Sequence, residues 1–369
     1  MANISHGGSH MLKKLISVLL SIILMGACMI PPAYASDLEY PRKREDIGIR
    51  DPCILVSDGK YYMYGTGAAW SGYGCYVSED LENWAGPFTV FTFPEGHTAD
   101  GDYWAPECVE YEGNFYLFAT YHDSVLNHRG TAVFKASSPL GPFEQISDGF
   151  ATPNDWDSID GTLYVDNSGQ PWMIFVHEWT STDDGIGRMC VAKMSDDLSS
   201  LISEPKEIFR ADDGKRGMDR QVTDGPYIHT CEDGKLIMLW SNVADNGYAV
   251  GMAESYSIDG KWKQQSGLLF HRDISGTDYD GGHGMLFTDN DGRLMLSVHS
   301  PNSSGEGYHE TAVFHEVVEV NGTLRLKTEQ EKLDKARAVL NTVFTNLAKI
   351  ISTIWSVSIK IIKAIINSI

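Results

Sequence analysis

The sequence predicts an all-β protein, a five-bladed β-propeller, preceded by a signal peptide and followed by an amphipathic helix. An extended apolar segment, a turn centred on glycine and a second strand rich in Tyr, Leu or Met recur five times along the chain. The turn glycines are separated by 54, 56, 65 and 58 residues. The chain also has 36 Gly, 17 Tyr, 14 Phe and 9 Trp, a composition typical of short strands joined by tight turns. A β-sandwich is the alternative fold, but it does not explain so regular an interval.

Residues 1–35 are interpreted as a leader and a secretory signal peptide. Two lysines just after Met11, the plausible natural start, precede an apolar run over residues 15–30 and an Ala-Tyr-Ala cleavage site that ends at Ala35. A lipoprotein signal at Cys28 is the alternative, weakened because a methionine stands where such signals prefer leucine. The sequence therefore predicts a secreted protein, with lipid anchoring as the second option.

Five cysteines follow the leader. An odd number without close spacing is not a disulfide framework, so we expect buried, small apolar side chains with room for one bridge at most. These cysteines are Cys53, Cys75, Cys108, Cys190 and Cys231.

Residues 36–332 contain the five repeats and form the predicted propeller domain. Each repeat begins with an apolar segment that starts at Asp51, Ala105, Asp160, Asp224 or Gly282. Each then has a two-residue hairpin signal, Asp-Gly or a near equivalent, at Gly59, Gly113, Gly169, Gly234 or Gly292. Two further strands fit after each hairpin, so that each repeat supplies the four strands of one propeller blade.

The C-terminal tail, residues 333–369, differs from the domain in charge and in pattern. The net charge of −21 combines +4 for this tail and +2 for residues 1–35 with −27 for the domain between them. So acidic a domain argues against nucleic-acid binding. Leu or Ile recurs every seven residues, which predicts an amphipathic helix. Its lysines argue against a transmembrane span, and membrane-surface binding, self-association and packing on the domain all remain open.

Polar residues near the start of the innermost strands are expected to meet at the propeller hub. In a propeller the first strand of every blade lines the central channel. The polar residues near these strand starts are Asp51, Glu107, Asp160, Asp224 and His283. Carboxylates held close together raise one another's pKa, a cost that a purely structural scaffold has little reason to bear. The sequence therefore predicts a functional pocket at the hub.

The motifs in combination resemble glycoside hydrolase family 43, five-bladed propeller enzymes that act on arabinose, xylose and galactose linkages. The resemblance covers roughly residues 40–326. Its motifs are RDP at 50–52, WAPE at 104–107, ID at 159–160, DGPY at 224–227 and GHG at 282–284. The NDPNG opening of the related sucrose-cleaving propellers is missing. The resemblance implies an inverting glycosidase that acts on pentose- or galactose-containing plant glycans, with no required cofactor.

Three carboxyls take their expected roles from this resemblance. Asp51 corresponds to the general base, and Asp160 to the residue that tunes the acid. Asp224 stands where the family has a glutamate as general acid, so its reach is shorter by roughly 1.5 Å, a displacement comparable with those that cost about a hundredfold in rate. Glu178, beside Trp179, is the alternative acid. Loss of hydrolysis, leaving a catalytically silent carbohydrate-binding propeller, is the alternative function.

Other residues are expected to contact the sugar or a metal ion. Trp104 suits a platform for the apolar face of a sugar ring, and Glu107 and Trp179 are further substrate-binding candidates. The resemblance implies that His283 helps to hold a calcium ion or a water molecule at the propeller centre. A structural surface protein anchored by its basic tail is the weakest hypothesis.

Overall fold

The computed structural model describes residues 38–366, except for residues 216, 219, 246, 276–278 and 303–308. The chain divides into two compact units, Met1–Pro41 and Arg42–Ile369. The predicted signal peptide, its cleavage site and Cys28 lie outside the described residues. The description below concerns the second unit.

The second unit contains five antiparallel sheets, one for each predicted repeat. Blade one has β1 (Arg42–Lys43), β2 (Arg50–Ser57), β3 (Lys60–Thr66), β4 (Tyr73–Ser78) and β5 (Asn83–Phe91). Blade two has β6 (Ala99–Tyr111), β7 (Asn114–Asp123), β8 (His128–Ala136) and β9 (Glu144–Gln145). Blade three has β10 (Ser158–Val165), β11 (Pro171–His177), β12 (Arg188–Lys193) and β13 (Lys206–Arg210).

Blades four and five continue the pattern. Blade four has β14 (Asp224–Thr230), β15 (Leu236–Ala244), β16 (Gly247–Ser255) and β17 (Lys263–Phe270). Blade five has β18 (Gly282–Thr288), β19 (Leu294–Ser300), β20 (Thr311–Val320) and β21 (Thr323–Leu326). The helical elements are two 3-10 turns, Arg44–Asp46 and Ala211–Asp213, the short α1 (Arg272–Ser275) and the long α2 (Glu329–Ile366).

The innermost strands of the five blades close into a ring. Strand β2 contacts β6, β6 contacts β10, β10 contacts β14, β14 contacts β18, and β18 contacts β2 again. Blades one and five are also joined by hydrogen bonds: the Ile49 amide donates to the Glu310 carbonyl at 3.0 Å, and the Arg44 guanidinium donates to the Ala312 carbonyl at 2.8 Å. This closed circuit confirms the predicted five-bladed β-propeller.

The hydrophobic core lies between adjacent blades rather than at the hub. Between blades three and four, Ile174 and Met189 pack with Met238 and Trp240, all four side chains being buried. Similar clusters join blades two and three, and blades four and five. Because each fully buried Leu, Ile, Phe or Met side chain contributes roughly 1.5–3 kcal/mol, this packing holds neighbouring blades together and leaves the axis to polar groups.

The hairpin turns follow the two-residue prediction in blades one and two only. In blade one, Ser57 pairs with Lys60, and both turn residues have positive φ, as a type I′ turn requires. In blades three to five the turn has three residues, the last of which is a glycine in the left-handed conformation. In blade three this residue is Gly169, with φ +85°, and its amide donates to the Asp166 carbonyl. The two-residue prediction is wrong for these three blades.

The five cysteines of the domain are buried, as their number and spacing indicated, and none of the five is bridged. Each has a free thiol in the part of the chain that the structure describes. Cys53 Sγ accepts a weak hydrogen bond from the Cys108 amide at 3.4 Å. The cysteines therefore act as small apolar residues of the blades.

The predicted C-terminal helix is confirmed as α2. A capping box fixes its start: the Thr328 amide donates to the Glu331 carboxylate at 2.9 Å, and the Glu331 amide donates to the Thr328 hydroxyl at 3.3 Å. Apolar side chains at the seven-residue interval, such as Leu347 and Ile354, are exposed. Among the described residues, no helix has both the length and the apolarity needed to cross a bilayer. Membrane-surface binding and self-association through α2 stay predictions.

Candidate active site

The innermost strand of every blade has a β-bulge in its N-terminal half. In blade one, Arg50 pairs with Thr66 and Cys53 pairs with Tyr64, so two residues of β2 face one residue of β3. The first bulged residue of each blade has a positive φ. These residues are Asp51 (53°), Ala105 (40°), Asp160 (56°), Gly225 (51°) and His283 (51°). Because bulges bend a strand and redirect its side chains, this repeated feature orients polar groups at the hub.

The bulges also correct the predicted alignment of the repeats. Asp51, Asp160 and His283 occupy equivalent positions in blades one, three and five. In blade four the equivalent residue is Gly225, so Asp224 lies one residue earlier. In blade two it is Ala105, which leaves Glu107 two residues further along the strand. The five predicted polar residues therefore do not share one position in the blades, because Asp224 and Glu107 are offset from it.

A ring of hydrogen bonds between blades fixes these bulged residues. In four blades the amide of the bulged residue donates to a side chain in the C-terminal half of the second strand of the preceding blade. The bonds are Ala105 to Thr66 Oγ1 (2.8 Å), Asp160 to Thr120 Oγ1 (3.2 Å), His283 to Ser241 Oγ (2.8 Å) and Asp51 to His299 Nδ1 (3.2 Å). In blade three the equivalent acceptor position is Val176, whose side chain has no polar atom. The Gly225 amide donates instead to Asp160 Oδ2 at 2.8 Å, so the Asp160 carboxylate completes the ring.

Asp51 lies between two histidines and a hydroxyl. The Thr66 hydroxyl donates to Asp51 Oδ2 at 2.6 Å, while His283 Nδ1 lies 3.3 Å and His299 Nδ1 3.4 Å from Oδ1. Burial raises the pKa of this carboxyl, but the histidines and Thr66 outweigh burial and hold its pKa well below its usual range. Asp51 is therefore ionised at neutral pH and can accept a proton.

Asp160 and Asp224 show the opposite behaviour. Burial, together with the negative charge of Asp51, raises the pKa of Asp160, whereas the Gly225 amide that donates to its carboxyl lowers it. Burial, together with the charge of Asp160, raises the pKa of Asp224 to about 7, even though the Tyr248 hydroxyl donates to Asp224 Oδ2 at 2.7 Å. Because three carboxyls share one partly buried site, they cannot all be ionised together. As pH rises, Asp51 is the first of the three to lose its proton, while Asp224 still has a proton that it can donate.

Two glycines allow the close approach of these groups. A Cβ atom at Gly225 would lie 2.8 Å from the ring of His283, and one at Gly282 would lie 2.4 Å from the ring of Tyr248. Both distances are too short for van der Waals contact. The glycines of the Asp-Gly-Pro and Gly-His-Gly motifs therefore let blades four and five bring Asp224, Tyr248 and His283 together.

Glu178, the alternative acid, lies immediately after β11 and is paired with an arginine. Arg129 Nη1 donates to Glu178 Oε2 at 2.7 Å, and Arg129 Nε donates to Asp102 Oδ2 at 3.0 Å. Burial raises the pKa of Glu178 above its usual value, although Arg129 partly opposes this shift. The guanidinium also lies over the Trp104 ring, 4.9 Å from its centroid. Glu178 thus belongs to a charged cluster on blades two and three, and its charge acts on Asp160.

The three predicted sugar-binding residues have different surroundings. Trp104 is half-buried and faces Arg129, a combination that offers both an apolar ring and a cation. Trp179 is exposed next to Glu178. Glu107 lies deeper along the channel, where the Thr162 hydroxyl donates to it, and burial raises its pKa to about 8. Glu107 is therefore a neutral residue at pH 7, and contact of all three residues with a sugar stays a prediction.

The described residues around His283 do not form a protein cage for calcium. Calcium binds six to eight oxygen ligands, whereas His283 offers nitrogen, and its Nδ1 already faces Asp51 at 3.3 Å and Asp160 at 3.7 Å. An ion at this place would be coordinated chiefly by water. A calcium ion at this place stays a prediction, and the observed partners of His283 are the carboxyls of Asp51 and Asp160.

Sequence reasoning missed four residues that complete the site: Thr66, His299, Tyr248 and Arg129. The sequence does indicate two of them, Thr66 and His299. Each repeated segment ends at the position where a side chain can accept a hydrogen bond from a backbone amide of the next blade. Those segment ends are Thr66, Thr120, Val176, Ser241 and His299. Tyr248 and Arg129 lie on third strands, where nothing in the repeat distinguishes a residue that reaches the hub from one that packs in the blade.

Comparison with known proteins agrees with this geometry. Residues 47–320 match the family described as glycosyl hydrolases family 43. An endo-arabinase from Bacteroides thetaiotaomicron is similar in structure, with a TM-score of 0.69 and 34% identity, over 77% of this chain and 99% of that one. An endo-1,4-β-xylanase from the same organism has a TM-score of 0.66 and 27% identity, over 79% of this chain and 97% of that one.

Curated relatives match over a shorter stretch. An extracellular exo-α-(1→5)-L-arabinofuranosidase of Cellvibrio japonicus is 27% identical over 177 residues, which is 44% of this chain and 48% of that protein. An extracellular endo-α-(1→5)-L-arabinanase of Bacillus subtilis is 26% identical over 149 residues, 36% of this chain and 44% of that protein. The matched stretch spans about half the length of these relatives. The family match covers most of the chain and includes the innermost strands of all five blades. This protein therefore belongs to family 43 of the glycosyl hydrolases.

Proposed function

We propose that this protein is a secreted glycosidase that hydrolyses arabinose- or xylose-containing glycans by an inverting mechanism. The observation that carries the proposal is the convergence of Asp51, Asp160 and Asp224 beside His283 at the hub of a family 43 propeller, with pKa values driven in opposite directions. Secretion is supported by the word extracellular in the names of two relatives. Arabinan is the preferred substrate class, because the arabinases have the greater share of these similarities.

In the proposed mechanism Asp51 is the general base. Its carboxylate is ionised and fixed by Thr66, so it can orient a water molecule and take its proton as the oxygen attacks the anomeric carbon. The water must approach from the sugar face opposite the leaving group, which asks for base and acid carboxyls about 6.5–9.5 Å apart. Residues on blades one and four, on different sides of the hub, suit that requirement.

Asp224 is the proposed general acid, in preference to Glu178. It keeps a proton near neutral pH, and Tyr248 fixes its carboxyl, which compensates for the shorter side chain. Glu178 is held by Arg129, which competes for the oxygen that would carry the proton. Asp160 is a positioning residue: its carboxylate holds the Gly225 amide, and its charge raises the pKa of Asp224.

A substrate panel tests the function. Linear 1,5-α-L-arabinan, 1,4-β-D-xylan and aryl glycosides of arabinofuranose and xylopyranose are incubated with the full chain, and released sugars are measured. We expect the fastest turnover on arabinan. Proton NMR of the first product should show the anomer of inverted configuration. Turnover of none of these substrates would support a carbohydrate-binding propeller instead, and a retained configuration would contradict the mechanism.

The pH profile of kcat/KM is expected to fall on the alkaline side. Asp224 must be protonated to act as an acid, so activity declines as pH rises through its pKa of about 7. Asp51 must be ionised, and its low pKa moves the acidic limb well below the usual range of a carboxyl. Since the carboxyls interact, the two limbs report the coupled group rather than single residues.

Two variants move the alkaline limb in opposite directions. Asp160→Asn removes the charge that raises the pKa of Asp224, so the limb should move to lower pH. Tyr248→Phe removes the hydrogen bond that lowers it, so the limb should move to higher pH. Initial rates from pH 4 to pH 10 measure both shifts. Shifts of the same sign in the two variants would contradict the assignment of this limb to Asp224.

A further inference from the structure

A second cluster of polar side chains lies at the far end of blade four, away from the hub. His229 is the sixth residue of β14, and Cys231 directly follows that strand. Glu319 comes from β20 of blade five. At about 3.3 Å per residue, the five steps from Asp224 to His229 span roughly 16 Å. This cluster is therefore separate from the candidate active site.

The three side chains direct their donor atoms to one point. A nitrogen of His229, the sulfur of Cys231 and a carboxylate oxygen of Glu319 all lie within 4.8 Å of one another. His229 Nε2 is 3.3 Å from Glu319 Oε2. The other oxygen of Glu319 accepts the Glu232 amide at 3.3 Å, so the carboxylate is oriented with Oε2 towards His229.

We propose that His229, Cys231 and Glu319 form a zinc site that joins blades four and five. Thiolate, imidazole and carboxylate are the ligands that zinc takes in proteins, at about 2.0–2.3 Å. For a tetrahedral ion these bond lengths separate the donor atoms by roughly 3.3–3.7 Å. The distance between His229 and Glu319 already meets this value, and the Cys231 sulfur needs to move closer by roughly 1.1–1.5 Å at most. Water would fill the fourth position.

Burial and charge at the cluster suit a bound zinc ion. Cys231 is buried, while the His229 and Glu319 side chains are about one-fifth exposed, which leaves an entry path from solvent. The nearby Lys235 ammonium is directed to Glu254 at 3.3 Å, so its charge is matched by another carboxylate. Cys231 also packs in the apolar cluster between blades four and five. An ion here would therefore stabilise the contact between these two blades.

Cobalt titration of the full chain tests the site. Co²⁺ substitutes for Zn²⁺, and its bond to a thiolate gives a charge-transfer band in the near ultraviolet. We expect this band at one equivalent of Co²⁺, its loss on adding Zn²⁺, and a rise in Tm with Zn²⁺. Cys231→Ser should abolish the band, while the matched variant Cys190→Ala, at another buried thiol, should keep it.

Two further variants guard against a folding defect in Cys231→Ser. His229→Gln and Glu319→Gln change more exposed side chains, and each should weaken Co²⁺ binding at least tenfold by removing a ligand. His122→Gln, a histidine paired with Asp100 on blade two, should leave the affinity unchanged. Three results would overturn the proposal: no thiolate band in the unchanged protein, a band that survives in Cys231→Ser, or the same Co²⁺ affinity in His229→Gln, Glu319→Gln and His122→Gln.

Discussion

Replacing Asp51 with asparagine is expected to lower kcat on an arabinan oligosaccharide by about 10³-fold, within the range of about 10²–10⁴ for a general base. Asparagine keeps the shape of the side chain and an oxygen that can accept the Thr66 hydroxyl, now 2.6 Å from Asp51 Oδ2. An amide, however, cannot take a proton from the attacking water. Because the change acts on the chemical step, affinity for a thio-linked, unhydrolysed oligosaccharide should remain within about threefold. Rates are measured by sugar release and affinity by calorimetry.

The matched control is Asp58→Asn in the turn between β2 and β3. Asp58 also has a positive φ, 49°, a conformation that asparagine adopts readily, and it lies at the other end of the same strand. This variant should keep wild-type kcat and affinity. Asp51 would lose its assigned role if its asparagine variant retained more than a tenth of the activity. Equal Tm values for the two variants would exclude a folding defect as the cause of the loss.

The repeat interval was enough to predict the architecture. A glycine turn between two apolar segments reports one hairpin, and five hairpins at intervals of 54 to 65 residues leave room for four strands each. The equivalent positions of Asp51 and Asp160 could be predicted for the same reason, since each is the first residue of the apolar segment that begins its repeat. Ring closure then brings them together with His283, although 109 residues separate the two aspartates along the chain.

The one-residue details of the hub could not be predicted. A β-bulge shifts the pairing register without a fixed sequence signature, so the sequence could not assign the bulged position of blade four to Gly225 rather than Asp224. The same limit applies to the turns, where Asp-Gly permits either a two-residue loop or a three-residue loop. The role of Asp160 as the acceptor for the Gly225 amide depends on Val176, a residue that is informative only once the strands are paired.

Replacing Asp224 with asparagine is expected to make the rate depend strongly on the leaving group. Without an acid, an arabinan substrate must release an alkoxide, and kcat should fall by about 10²–10³-fold. A 2,4-dinitrophenyl arabinofuranoside releases a stable phenolate that needs no proton, so its kcat should fall by less than about tenfold. Comparing initial rates on the two substrates measures this ratio. A similar loss on both would mean that Asp224 acts in binding or folding rather than in proton transfer.

Glu178→Gln separates the two candidate acids in the same assay. This change removes one partner of Arg129, whose guanidinium also contacts Asp102 and the Trp104 ring. We therefore expect a higher KM through a less fixed sugar-facing surface, with the same proportional change for both leaving groups. Only the true acid gives a rate that recovers when the leaving group no longer needs a proton. If Glu178→Gln showed that recovery and Asp224→Asn did not, proton donation would come from blade three, and the 2.7 Å bond from Tyr248 to Asp224 would have a structural role.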